Sequence, residues 1–287
     1  MRAAQIAELG RPPQVVEIED VDGVRIEAVA LNPLDVAVGS GVFYGGHPPL
    51  PYVPGCEAAG RTADGSLAYL FGEARGVARD GFLAERVAVP PDLPLALPDG
   101  VDPALAAAAG IAGVAAWVPV AWKANVGPGD RVLVLGGTGA VGRIAAQAAE
   151  LLGAAKVVAV GRKDLGRIAG EFGEDGFTVC IDPVWGEPLA DALQYAQRHA
   201  RVVHVGQSAG PQAPLRSADV RGKELVIMGH SNFALSAEER NRAYLELLDH
   251  LAAGRISLPI ARFPLDHAAE AWELQRSGPG GKVVIEL

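Results

Sequence analysis

The run RVLVLGGTGAVGRIAAQAAELLGAAKVVAVGR, Arg131–Arg162, constrains this chain more than any other stretch. Val132–Leu135 is continuously apolar, as a strand buried on both faces must be. Gly137, Gly139 and Gly142 then fill a G-x-G-x-x-G pattern. From Ala140, the residues Val141, Ile144, Ala145, Ala148 and Leu152 recur at three- and four-residue steps, giving one apolar helix face that Gly153 ends. A second apolar strand follows at Lys156–Val160. In a strand–loop–helix–strand unit of this kind, Gly137 permits the tight turn, Gly139 lets the backbone approach a pyrophosphate, and Gly142 lets the helix pack close to the strand. Thr138, Ala140 and Val141 complete the loop, and the amides at the helix N-terminus receive the negative charge. The expectation is a dinucleotide site.

The end of the second strand discriminates between dinucleotides. An acidic residue there bonds a free ribose 2′-hydroxyl, whereas an arginine accommodates a 2′-phosphate. Arg162 stands 20 residues after Gly142, with Lys163 beside it and Arg167 one helical turn on; Asp164 comes two positions later than Arg162. A guanidinium makes paired, charge-assisted bonds to a dianionic phosphate. The expected cofactor is NADPH.

The alternation continues with a strand at Phe177–Asp182, a helix from Pro188 to His199, strands at Arg201–Gly206 and Leu225–Gly229, and a helix over Ser236–Gly254. Ser236 with Glu239 forms a capping box at the start of that helix. Strands alternating with helices at this spacing predict a doubly wound parallel sheet. Before it, residues 1 to about 100 read as short strands broken by Gly and Pro, among them Val24–Ala30 and Phe82–Pro90, with an ordered loop at Gly41–Gly55. The segment from Asp102 to Ala124 is helical in composition, with Asp102 as N-cap and Pro103 at the first helical position. The last segment returns to a short helix and a terminal strand at Lys282–Leu287.

Composition narrows the class. The 287 residues are 49% hydrophobic and 21% charged, the balance of a globular protein with a substantial core. A net charge of -9 argues against a nucleic-acid partner, which needs clustered cations. Cys56 and Cys180 are the only cysteines, so no disulfide framework is expected. The start lacks a signal-peptide layout, and Ala104–Val120 is interrupted by Gly110, Gly113 and Pro119, so no membrane span is expected. The expected location is the cytoplasm.

Taken in order, NPLD at Asn32–Asp35, the P-x-V-P-G-x-E-x-A-G loop at Pro51–Gly60, GPGD before the glycine loop, DPVWG at Asp182–Gly186, VHVGQSAG at Val203–Gly210 and GGKVV at Gly280–Val284 resemble the medium-chain dehydrogenase/reductase superfamily over nearly the whole chain. The resemblance implies a Rossmann domain, residues 109–257, inserted into an irregular β-rich, GroES-like catalytic domain made of residues 1–108 and 258–287. It also implies a homodimer. Within the superfamily the zinc-independent, quinone-oxidoreductase-like branch fits best. Gly55–Cys56–Glu57 stand where zinc enzymes carry G-H-E, and Leu34 or a neighbour stands where their first zinc cysteine would be. A catalytic zinc needs three convergent ligands, and Cys56, Glu57 and His47 are not expected to provide them. No metal is expected.

The resemblance further places Asn32 in the loop that faces the nicotinamide, Gly206 and Gln207 at a strand end where ligands gather, His230, Ser231 and Asn232 by the nicotinamide ribose, and Lys282 within reach of the cofactor. Enoyl-reductase relatives use a tyrosine as proton donor; here Phe43 holds the strict position and Tyr44 follows it. Tyr44 and Asn32 are the catalytic candidates. His199, His204, His250 and His267 are expected to be structural. The leading reading is hydride transfer from NADPH to a quinone or an α,β-unsaturated carbonyl. Two alternatives stay open: an enoyl thioester reductase, and an idle NADPH-binding protein.

Overall fold

The computed structural model describes residues 1–287 and divides into two compact units, Met1–Ile111 with Pro259–Leu287, and Ala112–Leu258. The first unit opens with β1 (Arg2–Gln5), β2 (Gln14–Glu17) and β3 (Val24–Leu31), then α1 (Pro33–Gly39). It continues through β4 (Glu57–Arg61), β5 (Leu67–Phe71), β6 (Arg86–Val87), β7 (Leu95–Ala96) and α2 (Pro103–Ala108). The second unit holds α3 (Ile111–Trp117, from its second residue on), β8 (Arg131–Leu135), α4 (Ala140–Leu151), β9 (Lys156–Val160), α5 (Arg167–Phe172), β10 (Phe177–Asp182), α6 (Gly186–Ala192), β11 (Ala196–His204), α7 (Ser217–Gly222), β12 (Val226–Gly229) and α8 (Ala237–Ala252). The chain then returns to the first unit with β13 (Ile260–Pro264), α9 (Ala268–Ser277) and β14 (Lys282–Glu286).

In the first unit a seven-stranded sheet runs β13-β14-β3-β4-β5-β7, with β6 also pairing β3, and β1 pairs with β2 apart from it. The terminal strand is essential to this sheet: β14 lies antiparallel to β3, setting Val283 opposite Leu31 and Ile285 opposite Val29. Leu31, Val29, Val283 and Ile285 meet Phe82, Leu83, Tyr52 and Trp272 in one buried cluster.

The second unit is a fully parallel sheet ordered β12-β11-β10-β8-β9. Counted within the unit this is strand order 2-1-3-4-5, whose switch point lies between β8 and β10. A six-stranded Rossmann sheet would add a strand outside β9; here the chain passes from α5 straight to β10. Leu133, Leu135, Cys180 and Val202 pack with Ile168, Phe172 and Leu189 of α5 and α6. The equally buried Val132 and Val134 point to the opposite face, which α4 covers. No helix is long and apolar enough to cross a membrane.

Four sequence expectations need correction. The helical stretch after Asp102 is broken at Gly110, where a Cβ would fall 1.9 Å from Glu57 Oε2 and 2.2 Å from the Tyr69 hydroxyl. Past α3 it widens into a π-helical turn, Val118–Lys123, at Pro119, which has no amide hydrogen to offer an α-helical bond. The helix expected as far as His199 ends at Ala192 in a short 3₁₀ turn, Leu193–Tyr195, whose Leu193 and Gln194 carbonyls accept bonds from Lys223 Nζ. β11 then starts at Ala196, five residues earlier than expected, with a register shift against β10. Of the strand expected over Phe82–Pro90 only Arg86–Val87 joins the sheet, because the Phe82 and Leu83 amides bond to Gly55 and Pro54 in the neighbouring loop.

Candidate functional site

The glycine loop leaves β8 at Gly136, whose φ of +63° supplies the left-handed turn that the sequence pattern assigns to Gly137. Gly137 is constrained by contact: a Cβ there would lie 2.6 Å from the Ala159 Cβ on β9. Gly142 is constrained likewise, its Cβ falling 2.3 Å from the Gly136 carbonyl oxygen. Gly139 is different. It is the N-cap of α4 with ordinary angles, and nothing comes closer than 3.6 Å to where its side chain would start. The first α4 bond runs from Arg143 N to Gly139 O at 2.9 Å, so the amides of Ala140, Val141 and Gly142 have no backbone acceptor, and no side chain caps them. A glycine cradle with three free amides on a helix N-terminus fits a pyrophosphate.

Thr138, exposed in this loop, rests against the end of β9: a Cβ on Gly161 would meet its Cγ2 at 2.9 Å. The loop therefore adjoins Arg162 and Lys163, both exposed and neither in an ion pair. Arg167, by contrast, is engaged by Glu171 at 3.0 Å. Asp164 turns its Oδ2 to 3.5 Å from the same Gly161 position. Arg143, which no sequence motif singles out, reaches back from α4 to donate from Nε to the Thr138 carbonyl at 3.0 Å.

At the carboxyl ends of β11 and β12 the unit gathers further expected residues. Gly206 sits close to β10's exit, where a side chain would approach the Pro183 oxygen at 3.1 Å; Gln207 and Ser231 are exposed. His230 and Asn232 are buried and joined, His230 Nε2 donating to Asn232 Oδ1 at 2.9 Å. Burial lowers the His230 pKa to about 4, so the ring is neutral. Its Nδ1, left as an acceptor, has no donor.

His204, expected to be structural, has a defined partner. Its Nδ1 lies 3.3 Å from Oδ2 of the fully buried Asp182, and its ring packs on Trp185 with centroids 4.1 Å apart. The other oxygen of Asp182 accepts from the Val184 and Trp185 amides.

In the first unit the structure brings Asn32 and Lys282 together. Lys282 Nζ donates to Asn32 Oδ1 at 2.7 Å and to Glu57 Oε1 at 3.1 Å. Asn32 Nδ2 donates to Glu57 Oε1 at 2.8 Å and to the Ala30 carbonyl, so both of its amide hydrogens are spent internally. Glu57 also accepts from the Tyr69 hydroxyl and the Ile111 amide, four bonds in total to a carboxylate that sees no solvent. Beside it, Asp35 accepts from the Asn32 and Cys56 amides, and its burial raises its pKa. Tyr44 is not part of this network: it is 88% exposed and packs on Phe43 at 4.5 Å.

The three side chains nearest to a zinc-ligand pattern are each engaged elsewhere. Glu57 is saturated, burial pushes the Cys56 thiol well up, and His47 Nδ1 faces the Pro48 carbonyl at 2.7 Å. No group of three or more His, Cys, Asp or Glu side chains is placed to hold a metal ion.

A family model described as zinc-binding dehydrogenase matches residues 152–285. The chain is 29% identical over 325 residues to a quinone oxidoreductase of Lama guanicoe, covering 100% of this chain and 98% of that protein. It is 27% identical over 314 residues to a phenolphthiocerol/phthiocerol polyketide synthase of Mycobacterium tuberculosis, covering 96% of this chain but only 14% of that much longer protein. Among solved structures, the quinone oxidoreductase from Thermus thermophilus, determined also as its complex with NADPH, superposes with a TM-score of 0.80 at 25% identity over 100% of both chains. The glycine cradle on a doubly wound sheet, the pairing of β14 with β3 and these likenesses together support a quinone-oxidoreductase-like protein of the medium-chain dehydrogenase/reductase superfamily.

Proposed function

We propose that this protein is an NADPH-dependent oxidoreductase that delivers a hydride to a quinone or an α,β-unsaturated carbonyl without zinc. The observation that carries this reading is the open cradle at Gly139–Gly142, with its uncapped amides, standing beside the unpaired Arg162 and Lys163. The quinone oxidoreductases it resembles, one of them solved with NADPH, support it.

In this reading the amides of Ala140, Val141 and Gly142 bind the pyrophosphate, while Arg162 and Lys163 take the 2′-phosphate. Arg167 serves less directly, since Glu171 already neutralises it. Gly206, Gln207, His230, Ser231 and Asn232 line the nicotinamide half at the carboxyl ends of β11 and β12. The bound nicotinamide supplies a hydride from its C4 position. A quinone or enone needs no Lewis acid, because its own carbonyl delocalises the incoming charge; the protein has to orient the acceptor and provide a proton. Tyr44 is assigned that proton, its hydroxyl being exposed and without a partner. Asn32 and Lys282, locked to Glu57, act by positioning. The dimer that belongs to this reading has a free strand edge available at β12, where Val226 is 47% exposed, and sedimentation velocity tests it.

The decisive assay is NADPH oxidation with a panel of simple quinones and enones, run with and without a chelator. Turnover indifferent to chelation, with NADPH preferred over NADH, supports the reading. Inertness across the panel, or loss on chelation, overturns it. A second reading, reduction of an enoyl thioester, has the likeness to the polyketide synthase behind it, and an enoyl thioester in the same panel separates the two.

A further inference from the structure

We propose that Arg143 is a second cation of the dinucleotide site, its guanidinium closing over the pyrophosphate from the α4 side. This rests on the dinucleotide reading above and adds to it a residue outside the glycine pattern. Arg143 is the first residue after Gly142, and helical side chains lean toward the N-terminus of their helix. Here the lean is fixed by the bond from Nε to the Thr138 carbonyl, five residues earlier and inside the loop. The charge is thereby held at the mouth of the cradle instead of trailing along α4 into solvent.

Nothing in the protein neutralises it there. Arg143 has no ion pair with any carboxylate, and its Nη1 and Nη2 make no hydrogen bond, although the side chain is anchored at Nε. A cation at a helix N-terminus also faces charge of its own sign, from the unbonded amides of Ala140, Val141 and Gly142. An anion lying between them turns that repulsion into attraction from both sides. The two terminal nitrogens of a planar guanidinium suit the paired oxygens of a phosphate group.

Two phosphate groups are within the scope of this chemistry. Thr138 bonds Arg143 on one side and touches Gly161, the residue before Arg162, on the other. Because Arg143 is anchored to the loop whose amides stay open, the pyrophosphate is its ligand, and the 2′-phosphate falls to Arg162.

The test is a titration of NADPH and of NADH into the full chain, followed by nicotinamide fluorescence, with Arg143→Gln and Arg143→Lys in parallel and thermal melts to confirm folding. Arg143→Gln is expected to weaken both dinucleotides alike, by roughly tenfold or more, as loss of a charge-assisted bond implies. Arg143→Lys should recover part of the loss, and the salt dependence of binding should flatten in Arg143→Gln. Unchanged affinity for both dinucleotides overturns the proposal, as does a loss confined to NADPH, which would put Arg143 on the 2′-phosphate. If the unsubstituted chain binds neither dinucleotide, the cofactor reading fails and the role of Arg143 fails with it. Binding that Arg143→Gln leaves intact removes only the latter.

Discussion

Lys282 Nζ and Glu57 Oε1 lie 3.1 Å apart, with the lysine side chain 3% exposed and the carboxylate fully enclosed. The two residues come from opposite ends of the chain, from β14 and β4, on either side of β3. Enclosing both charges costs desolvation that is recovered only while every partner is in place. Lys282→Met would strand Glu57, and Glu57→Gln would strand Lys282. Each is expected to destabilise the protein by about 3–5 kcal/mol in urea unfolding at pH 7. The double variant should lose much less than the sum. Additive losses under about 1 kcal/mol would mean the pair behaves as a screened surface bridge.

Two glycines of the same loop should answer differently to alanine. Gly142→Ala drives a methyl to 2.3 Å from the Gly136 oxygen and is expected to cost about 1–3 kcal/mol of stability. Gly139→Ala meets nothing nearer than 3.6 Å and has no positive φ, so its melting temperature should hold. Its methyl occupies the open face of the cradle, however, and dinucleotide affinity should fall by about tenfold or more. A Gly139→Ala variant that binds as well as the unsubstituted protein would show that no phosphate approaches there.

Arg162→Ala should weaken NADPH by about ten- to a hundredfold while changing NADH little, since a bond to a charged group is worth about 1.5–3 kcal/mol. Parallel titrations of the two cofactors measure this. A preference for NADH in the unsubstituted protein would transfer ribose recognition to Asp164, whose carboxylate turns back toward Gly161.

His230 makes stability depend on pH in a definite direction. Burial brings its folded pKa down to about 4, whereas the unfolded chain titrates near 6.5. As pH falls, the unfolded state therefore takes up the proton first. The stability that the neutral ring confers is complete above about pH 6.5 and is lost progressively toward pH 4, by about 3 kcal/mol at most. In urea unfolding between pH 7 and 4.5, His230→Gln should lose less stability than the parent. Identical slopes for both proteins would show that the ring is free to protonate in the folded state.

Sequence signals are legible in this chain where they act locally. Asp102 caps α2 through the Ala104 amide, Ser236 and Glu239 form their box, and α4 begins at the glycine loop. What escapes a reading of the sequence is set by distant neighbours. Gly110 interrupts a helical sequence because Glu57 and Tyr69 need the space, and past α6 the chain tightens into a 3₁₀ turn whose Leu193 and Gln194 carbonyls Lys223 binds. The Rossmann cradle is legible as a motif, but Arg143 carries no pattern beyond its place after Gly142 and shows itself only through the bond to Thr138. Asn32 and Lys282 each stand out in their own segments, while their contact, across 250 positions, is not readable from either.

The shortened passage from β9 to β10 says something about which parts of this chain are replaceable. Gly173 and Gly176, both with φ near +60°, make the turn between α5 and β10, at the end of the sheet opposite the glycine loop. A further helix-and-strand module could be spliced in at that turn, extending the sheet outward from β9, without displacing β8 or β10, the two strands that border the switch point. The outer rim of the sheet is thus an optional accessory, and the dinucleotide platform proposed for this chain rests on five strands alone.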